Sequence, residues 1–305
     1  MILASTAVSD VNAIFHGLRS RLQGIAYNML GSVADAEDVV QDVWLRWHGA
    51  EHSAINNTEA WLVTATTRTS IDRLRALKSR RESYVGIWLP EPVLTDGPAT
   101  PEQIQERSSD VSVALLSLLE QLSPESRAAF LLREVFDIDY PQVARIIEKG
   151  EAACRQIVHR AKVQLGVGQP RYAVSRESHL RTVKSFAQAL AKGDFRIIKS
   201  LLADDAQLLG DGGGAVQSFP RPMLGGQRIA QLFYASNLRY KTSMRVDMAS
   251  INGQPAVLRY INDHLESAQA FETEGDRIVR VLVQRNPDKL AGIASVMGAK
   301  LFASQ

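Results

Sequence analysis

The hydrophobic period of this chain changes along its length, and that change limits the fold more than any other feature. Up to about residue 166, apolar residues recur at three- and four-residue steps, as in Leu18, Leu22, Ile25, Ala26 and Met29, the repeat of helices with one buried face. From about residue 244 the step becomes two in "MRVDMASI", "AVLRYI", "ESAQAFE" and "RIVRVLVQR", the repeat of half-buried strands. The two periods call for separate modules, helical first and α+β second. A length of 305 residues accommodates two or three.

Punctuation within the chain sharpens this division. Ser32 precedes "VADAEDVVQDVWLRW", whose Asp35, Glu37 and Asp38 suit a helix N-terminus and whose Val39, Val43 and Trp47 line one side. After the polar loop "HSAINNT" a helix opens near Thr58 and runs through Trp61, Leu62, Ala65, Ile71 and Leu74. It ends in a basic stretch in which Arg68, Arg73, Arg75, Lys78, Arg80 and Arg81 face only Asp72, a local asymmetry hidden by the net charge of +2. Residues 83–109 hold Pro90, Pro92, Pro98, Pro101 and two glycines, the composition of a linker. Within it, "YVGIWLPEPV" sets Trp88 among prolines, where a linker has no need of a large aromatic.

Helical spacing returns at "VSVALLSLLEQL" and at "SPESRAAFLLREVF", with Ser123 as N-cap and Pro124 at the first helical position. The stretch "YPQVARIIEKGEAACRQIVHRAKVQL" reads as helix, tight turn, helix. A second break, "GVGQPRYAVS", leads to helices at about 177–192 and 194–203 and then to strands, with Asn252-Gly253 and Gly275-Asp276 as hairpin turns. Helices followed by an antiparallel meander predict a curved sheet packed on its helices, a shape that encloses a pocket.

In "EAACRQIVHRAKVQL", Cys154, Val158, Ala161 and Leu165 fall on one helical face. The opposite face presents Arg155, Gln156, His159 and Arg160, donors suited to base edges in a major groove, with small Ala152 allowing close approach near the helix start, or it is an ordinary solvated helix surface. The lone Cys154 reads as a small core hydrophobe without a neighbouring base. One cysteine excludes an internal disulfide, and the six histidines show no metal-ligand spacing. No cofactor or metal is expected. No run is long and apolar enough for a membrane span, and the start of the chain has no secretory leader pattern, so the cytoplasm is the expected location.

"GIAYNMLGSVADAEDVVQDVWLRW" and "LSPESRAAFLLREVF…YPQVARIIEKGEAACRQIVHRA" resemble regions 2 and 4 of extracytoplasmic-function sigma factors. "WLPEP" in the linker, "DGGG" at 211–214 and "NPDKL" at 286–290 resemble the subgroup with a fused C-terminal SnoaL-like domain, so the likeness covers nearly the whole chain. The resemblance implies a multidomain protein: a region 2 helical bundle at 1–82, a linker at 83–109, a region 4 helix-turn-helix domain at 110–168, and a SnoaL-like α+β cone at 169–305. It implies a subunit that directs RNA polymerase to promoters, with the C-terminal domain as a fused regulator.

The same resemblance assigns roles. Asp35, Glu37, Asp38, Gln41 and Asp42 would dock on the clamp helices of the polymerase β′ subunit, although acids in a first turn also complement the helix dipole. Ser53, Asn56 and Asn57 would capture an extruded base of the downstream promoter element, or form a plain Asn-rich turn. Arg68, Arg73, Arg75 and Lys78 would follow DNA phosphates. Trp88, Leu89 and Pro90 would meet Asp211, Gly212, Gly213 and Gly214 on one side and Asn286, Pro287, Asp288, Lys289 and Leu290 on the other; alternatively, Trp88 only caps a helix of the first domain. An unidentified small molecule in the C-terminal domain completes the partner list, beside core polymerase and promoter DNA and with no membrane.

Two positions depart from the family pattern: Gly150 stands where a Ser-type cap usually precedes the recognition helix, and Ala215 follows the glycines where a basic residue is usual. Two rival functions remain open at this point. One is a free-standing ligand-sensing helix-turn-helix regulator. The other is a SnoaL-type enzyme fused to a DNA-binding module, with Asp211, Tyr234, Tyr260, Asp263 and His264 as candidate acid–base groups.

Overall fold

The computed structural model describes residues 2–95, 111–166 and 174–302. The expected boundaries at 109/110 and 168/169, together with Pro98 and Pro101, lie outside the described residues. The described chain forms two compact units. One runs to Arg80 and resumes at Leu118 through the helix-turn-helix; the other takes Arg81 through the described linker, Ser112–Ser117, and the C-terminal part.

The first unit is helical: α1 (Ile2–Leu30), α2 (Val33–His48), a short 3-10 turn (His52–Ala54), α3 (Thr58–Glu82), the end of α4 (Val113–Leu119), α5 (Pro124–Glu134), α6 (Tyr140–Ile147) and α7 (Glu151–Leu165). The starts follow side-chain chemistry. Ser32 accepts from the Asp35 amide at 3.3 Å, and Ser123 accepts from Ser126 at 3.2 Å with Pro124 next to it. Leu22, Ile25, Ala26 and Met29 of α1, Val39, Val43 and Trp47 of α2, and Leu62 and Ile71 of α3 are buried. Burial of a side chain such as Leu22 contributes about 1.5–3 kcal/mol, which makes the interlocking stripes the main support of the bundle.

The second unit holds α8 (Arg176–Lys192), α9 (Phe195–Leu201), β1 (Leu202–Asp211), β2 (Met223–Leu224), α10 (Gly226–Tyr240), β3 (Met244–Ile251), β4 (Gln254–Ile261), β5 (His264–Glu274), β6 (Arg277–Gln284), α11 (Pro287–Val296) and β7 (Lys300–Leu301). The sheet order is β2-β1-β6-β5-β4-β3, with β7 beside β5. Strands β3 to β6 form the expected antiparallel meander, turning at Asn252-Gly253 (φ 50° and 70°) and at Gly275 (φ 61°). The second helix stops at Leu201 rather than 203, and the chain goes straight into β1, which pairs parallel with β6. Alternation in β1 is diluted by exposed Asp204 and Asp205, which hides the strand from a period-two reading.

The two faces of the sheet do different jobs. Val257, Phe271, Val281, Val283 and Leu208 pack with Phe186, Ile229 and Phe233 of the helices. On the other face, Leu258, Tyr260, Leu265 and Ala268 pack with Leu290 and Ile293 of α11 and with Val113 of α4. Leu282 and Ala114 meet the fully buried Leu89 of the linker there.

Candidate functional site

The turn between α6 and α7 is made by Glu148, at φ 55°, and by Gly150, which starts α7 in an extended conformation with no side-chain cap. Cys154, Val158, Ala161 and Leu165 are buried, and burial pushes the Cys154 thiol above its ordinary pKa, so it packs as a hydrophobe. Ala152, Arg155, Gln156, His159 and Arg160 are all exposed. Arg155 pairs with Glu151 at 2.6 Å and lies over the Tyr140 ring at 4.3 Å, contacts that hold its guanidinium at the start of the helix.

On α2, Glu37, Asp38, Gln41 and Asp42 are exposed, whereas Asp35 is half-buried. Arg73 of α3 binds Asp35 at 2.9 and 2.7 Å and Asp38 at 3.0 Å, linking a candidate phosphate contact to two candidate polymerase contacts. The hydrogen bond to Asp35 raises the Arg73 pKa further, against the opposing effect of burial. Lys78 is exposed; Arg68 and Arg75 have partners of their own, described below. Ser53 donates to Glu51 at 3.4 Å and Asn56 is exposed, while the Asn57 side-chain Oδ1 accepts from the Ala60 amide at 2.9 Å and so caps α3.

The linker and the C-terminal part meet at Asp211. Strand β1 delivers this carboxylate fully buried, and it accepts from Tyr84 Oη at 2.7 Å, the Gly213 amide at 3.0 Å, the Leu89 amide at 2.9 Å, Gln284 Nε2 at 3.3 Å and Lys289 Nζ at 2.8 Å. A buried charge is tolerable only when so paired and hydrogen-bonded. Lys289 also donates to the Leu89 carbonyl at 2.6 Å, and Asn286 donates to Tyr84 Oη at 3.0 Å. Burial, and then the hydrogen bond to Asp211, push the Tyr84 phenol far above its ordinary pKa, so it stays a donor. Trp88 is half-buried, with Arg81 over its ring at 4.1 Å and Lys289 at 4.2 Å. Two cations on one indole make it a contact in its own right.

Backbone geometry explains the flanking motifs. At Gly213 φ is 61°, and a Cβ there would lie 2.2 Å from Asn286 Nδ2. Asn286 caps α11 by accepting from the Asp288 amide at 3.0 Å, with Pro287 in the first turn and Leu290 buried beneath, while Asp288 is exposed. Ala215 is exposed. Farther along the linker, the Thr95 amide donates to the Ser250 carbonyl at 2.9 Å, Val93 and Asn252 exchange bonds of 3.1 and 2.9 Å, and Leu94 bridges Ile251. These bonds occupy the free edge of β3, the last strand of the sheet.

The candidate acid–base groups do not converge among the described residues. Asp211 is committed to Lys289 and the linker, Asp263 is exposed at a turn, His264 contacts the Asn262 carbonyl at 2.7 Å, and Tyr234 packs on Phe195. Tyr260 lies on the α11 side of the sheet, with Arg245 over its ring at 3.9 Å.

Comparison with known proteins settles the family. Sigma-70 region 2 matches residues 14–80, and Sigma-70, region 4 matches residues 112–165. The ECF RNA polymerase sigma factor SigJ of Mycobacterium tuberculosis is 32% identical over 293 residues, covering 91% of this chain and 92% of its own. This chain belongs to the ECF sigma factor family. The probable ECF RNA polymerase sigma factor SigI of the same species is 27% identical over 300 residues, covering 94% and 97%. The crystal structure of M. tuberculosis SigJ superposes with a TM-score of 0.74 at 30% identity, covering 92% of this chain and 98% of that one, so the likeness extends through the C-terminal α+β part. As an ECF sigma factor, the protein binds RNA polymerase core and promoter DNA, and the free-standing regulator is set aside. No described helix is long and apolar enough to cross a membrane.

Sequence reasoning missed several residues of this sigma factor's linker contact: Tyr84, Arg81, Gln284, Asn252 and Thr95. Gln284 carried a signal, since it interrupts the apolar register of "RIVRVLVQR". Its amide is shared among Asp211 and the carbonyls of Leu89 and Pro90 at 3.3 to 3.5 Å. Tyr84 gave none, because its role depends on a carboxylate 127 positions away.

Proposed function

We propose that the C-terminal domain is a fused regulator that sets the freedom of the two promoter-reading regions by gripping the chain between them. The observation that carries this reading is the burial of linker and C-terminal groups around Asp211, with Val113 and Ala114 of α4 packed in the same unit. Residues that follow region 2 and residues that open region 4 are thereby tied to one sheet. A rigid aromatic between prolines loses little entropy on docking, which makes Trp88 an efficient anchor. A signal, such as a small molecule in the C-terminal domain, changes output by favouring the gripped or the released state.

In this reading Asp35, Glu37, Asp38, Gln41 and Asp42 meet the β′ clamp helices of core polymerase, where exposed acids suit a basic partner. Ser53, Asn56 and Asn57 take up an extruded base, and Arg68, Arg73, Arg75 and Lys78 follow the backbone. Ala152, Arg155, Gln156, His159 and Arg160 read the upstream element, each good bidentate pair being worth about 1–3 kcal/mol of discrimination. The protein works in the cytoplasm, beside its polymerase.

The experiment is run-off transcription with purified core polymerase, comparing the full chain with one truncated after about residue 170 and with Trp88→Ala. The reading predicts transcripts that depend on this protein and an output that changes with truncation and with Trp88→Ala while core binding persists. Equal output from all three chains sinks the regulator role, and absence of transcripts sinks the promoter role.

A further inference from the structure

Two of the arginines assigned to DNA phosphates are already holding anionic oxygens of the helix-turn-helix domain. Arg68 of α3 donates from Nε to the Ile146 carbonyl at 3.0 Å and from Nη2 to the Arg145 carbonyl at 2.8 Å, and it pairs with Glu148 at 3.1 Å. Arg75, about two turns farther along the same helix, pairs with Glu125 of α5 at 2.5 Å. The carbonyls bound by Arg68 belong to the last turn of α6, where a helix concentrates partial negative charge. Each guanidinium thus finds what a phosphodiester offers, acceptor oxygens carrying negative charge, but supplied by its own chain.

We propose that this surface of the helix-turn-helix domain, made of Glu125, Glu148 and the carbonyl end of α6, is an internal stand-in for promoter phosphates that keeps regions 2 and 4 closed on each other until DNA displaces it. The inference rests on the phosphate-following role of Arg68 and Arg75 stated above. Two further observations support it. Arg127 of α5, almost fully buried, donates to the Met29 carbonyl at the end of α1 at 2.8 Å, so the closed contact has a desolvated core. A cleft of 540 Å³ is lined by Asn56, Asn57, Trp61 and Thr64 on one side and by Gln142 and Arg145 of α6 on the other, so the candidate base-capturing loop faces the same helix.

The latch links are half-exposed, which suits a device that has to open. Arg68 and Glu148 are 44% and 74% exposed, and Arg75 and Glu125 are 57% and 30% exposed. Such pairs are individually weak and screened by salt, so a polyanion competes with them easily. A closed fraction lowers apparent promoter affinity in proportion to the open population, and weakening the latch raises it.

The test uses the full chain with Glu125→Gln and Glu148→Gln, alone and together, because neither side chain is assigned to DNA or polymerase. Spin labels at Ala34→Cys and Val163→Cys, both exposed and distinct from the buried Cys154, report the distance between regions 2 and 4. The double variant is expected to broaden that distance distribution and to lower the protein concentration giving half-maximal transcript with core polymerase roughly three- to ten-fold. An unchanged distance, or a broadened distance with an unchanged half-maximal concentration, overturns the latch. A companion variant, Arg68→Gln with Arg75→Gln, is expected to open the distance yet flatten the salt dependence of promoter binding by holoenzyme. An unchanged salt slope shows that these arginines do not touch phosphates, which removes the premise even where the glutamate variants open.

Discussion

Two sets of ion pairs, one in each unit, use the same chemistry, carboxylate against cation, in opposite environments. In the helical unit, Arg73 with Asp35 and Asp38, and Arg75 with Glu125, sit at the surface, where solvent screening keeps each pair weak and open to exchange. In the C-terminal unit, Asp211 with Lys289, and Glu266 with Arg259 and Arg285, are buried, and removing one partner strands a charge in a dry site. Exposed pairs suit a surface that has to exchange partners; buried ones fix the sheet at Glu266 and hold the linker at Asp211.

The sharpest way to break this contrast is Asp211→Ala, which leaves Lys289 without its carboxylate. It is expected to cost about 3–5 kcal/mol in urea unfolding of the C-terminal unit and to expose residues 84–95 to protease. The double change Asp211→Leu with Lys289→Met should recover much of that loss, since no unpaired charge remains. A double as damaging as the single would mean that the grip depends on hydrogen bonds to the linker rather than on charge.

Glu266→Gln comes next, at about 3 kcal/mol near neutral pH. Burial by itself raises the pKa of this carboxyl, but Arg259 and Arg285 outweigh it and hold the pKa below the usual carboxylate range. Its stabilisation is therefore complete above the unfolded-state pKa and is lost as pH falls through the lowered folded-state value. Acid titration of the wild type should show stability of this unit falling below about pH 4, and the Gln variant should show a flatter profile.

Gly213→Ala, which forces a side chain into a left-handed backbone and against Asn286, is expected to cost about 1–3 kcal/mol in thermal unfolding. At the small end, Arg73→Gln should change the stability of the helical unit by no more than about 1 kcal/mol while weakening capture of core polymerase or promoter in a pull-down. A large stability loss there would mean that the surface pairs are structural, and the distinction between the units would fail.

Legibility differed between the units for a reason visible in single residues. In the helical unit Ser32, Ser123 and Pro124 act within one turn of themselves, and Cys154 or Arg155 takes its face from a 3.6-residue period, so local sequence carries the information. Asn57 shows the limit of that reading: the same side chain fits a helix cap and a base contact, and the structure shows the cap. In the C-terminal unit the sequence reading contains neither α10 nor α11 and carries a helix into the first residues of β1, because the parallel partner of β1, β6, lies some seventy residues on and no local pattern announces it.

The sequence by itself determined the helical modules, the helix-turn-helix face and the hairpin turns, because periodicity, capping and turn chemistry act between near neighbours, whereas the three short motifs of the linker contact were legible only through the family resemblance. Only the tertiary structure decided that Asp211 is the centre of that contact, that Tyr84 and Gln284 complete it, and that Arg68 and Arg75 already hold oxygens of their own chain. A hydrogen bond between residues more than a hundred positions apart depends on where the sheet and helices bring their backbones, and that placement is the sum of many weak packing choices that no short stretch contains.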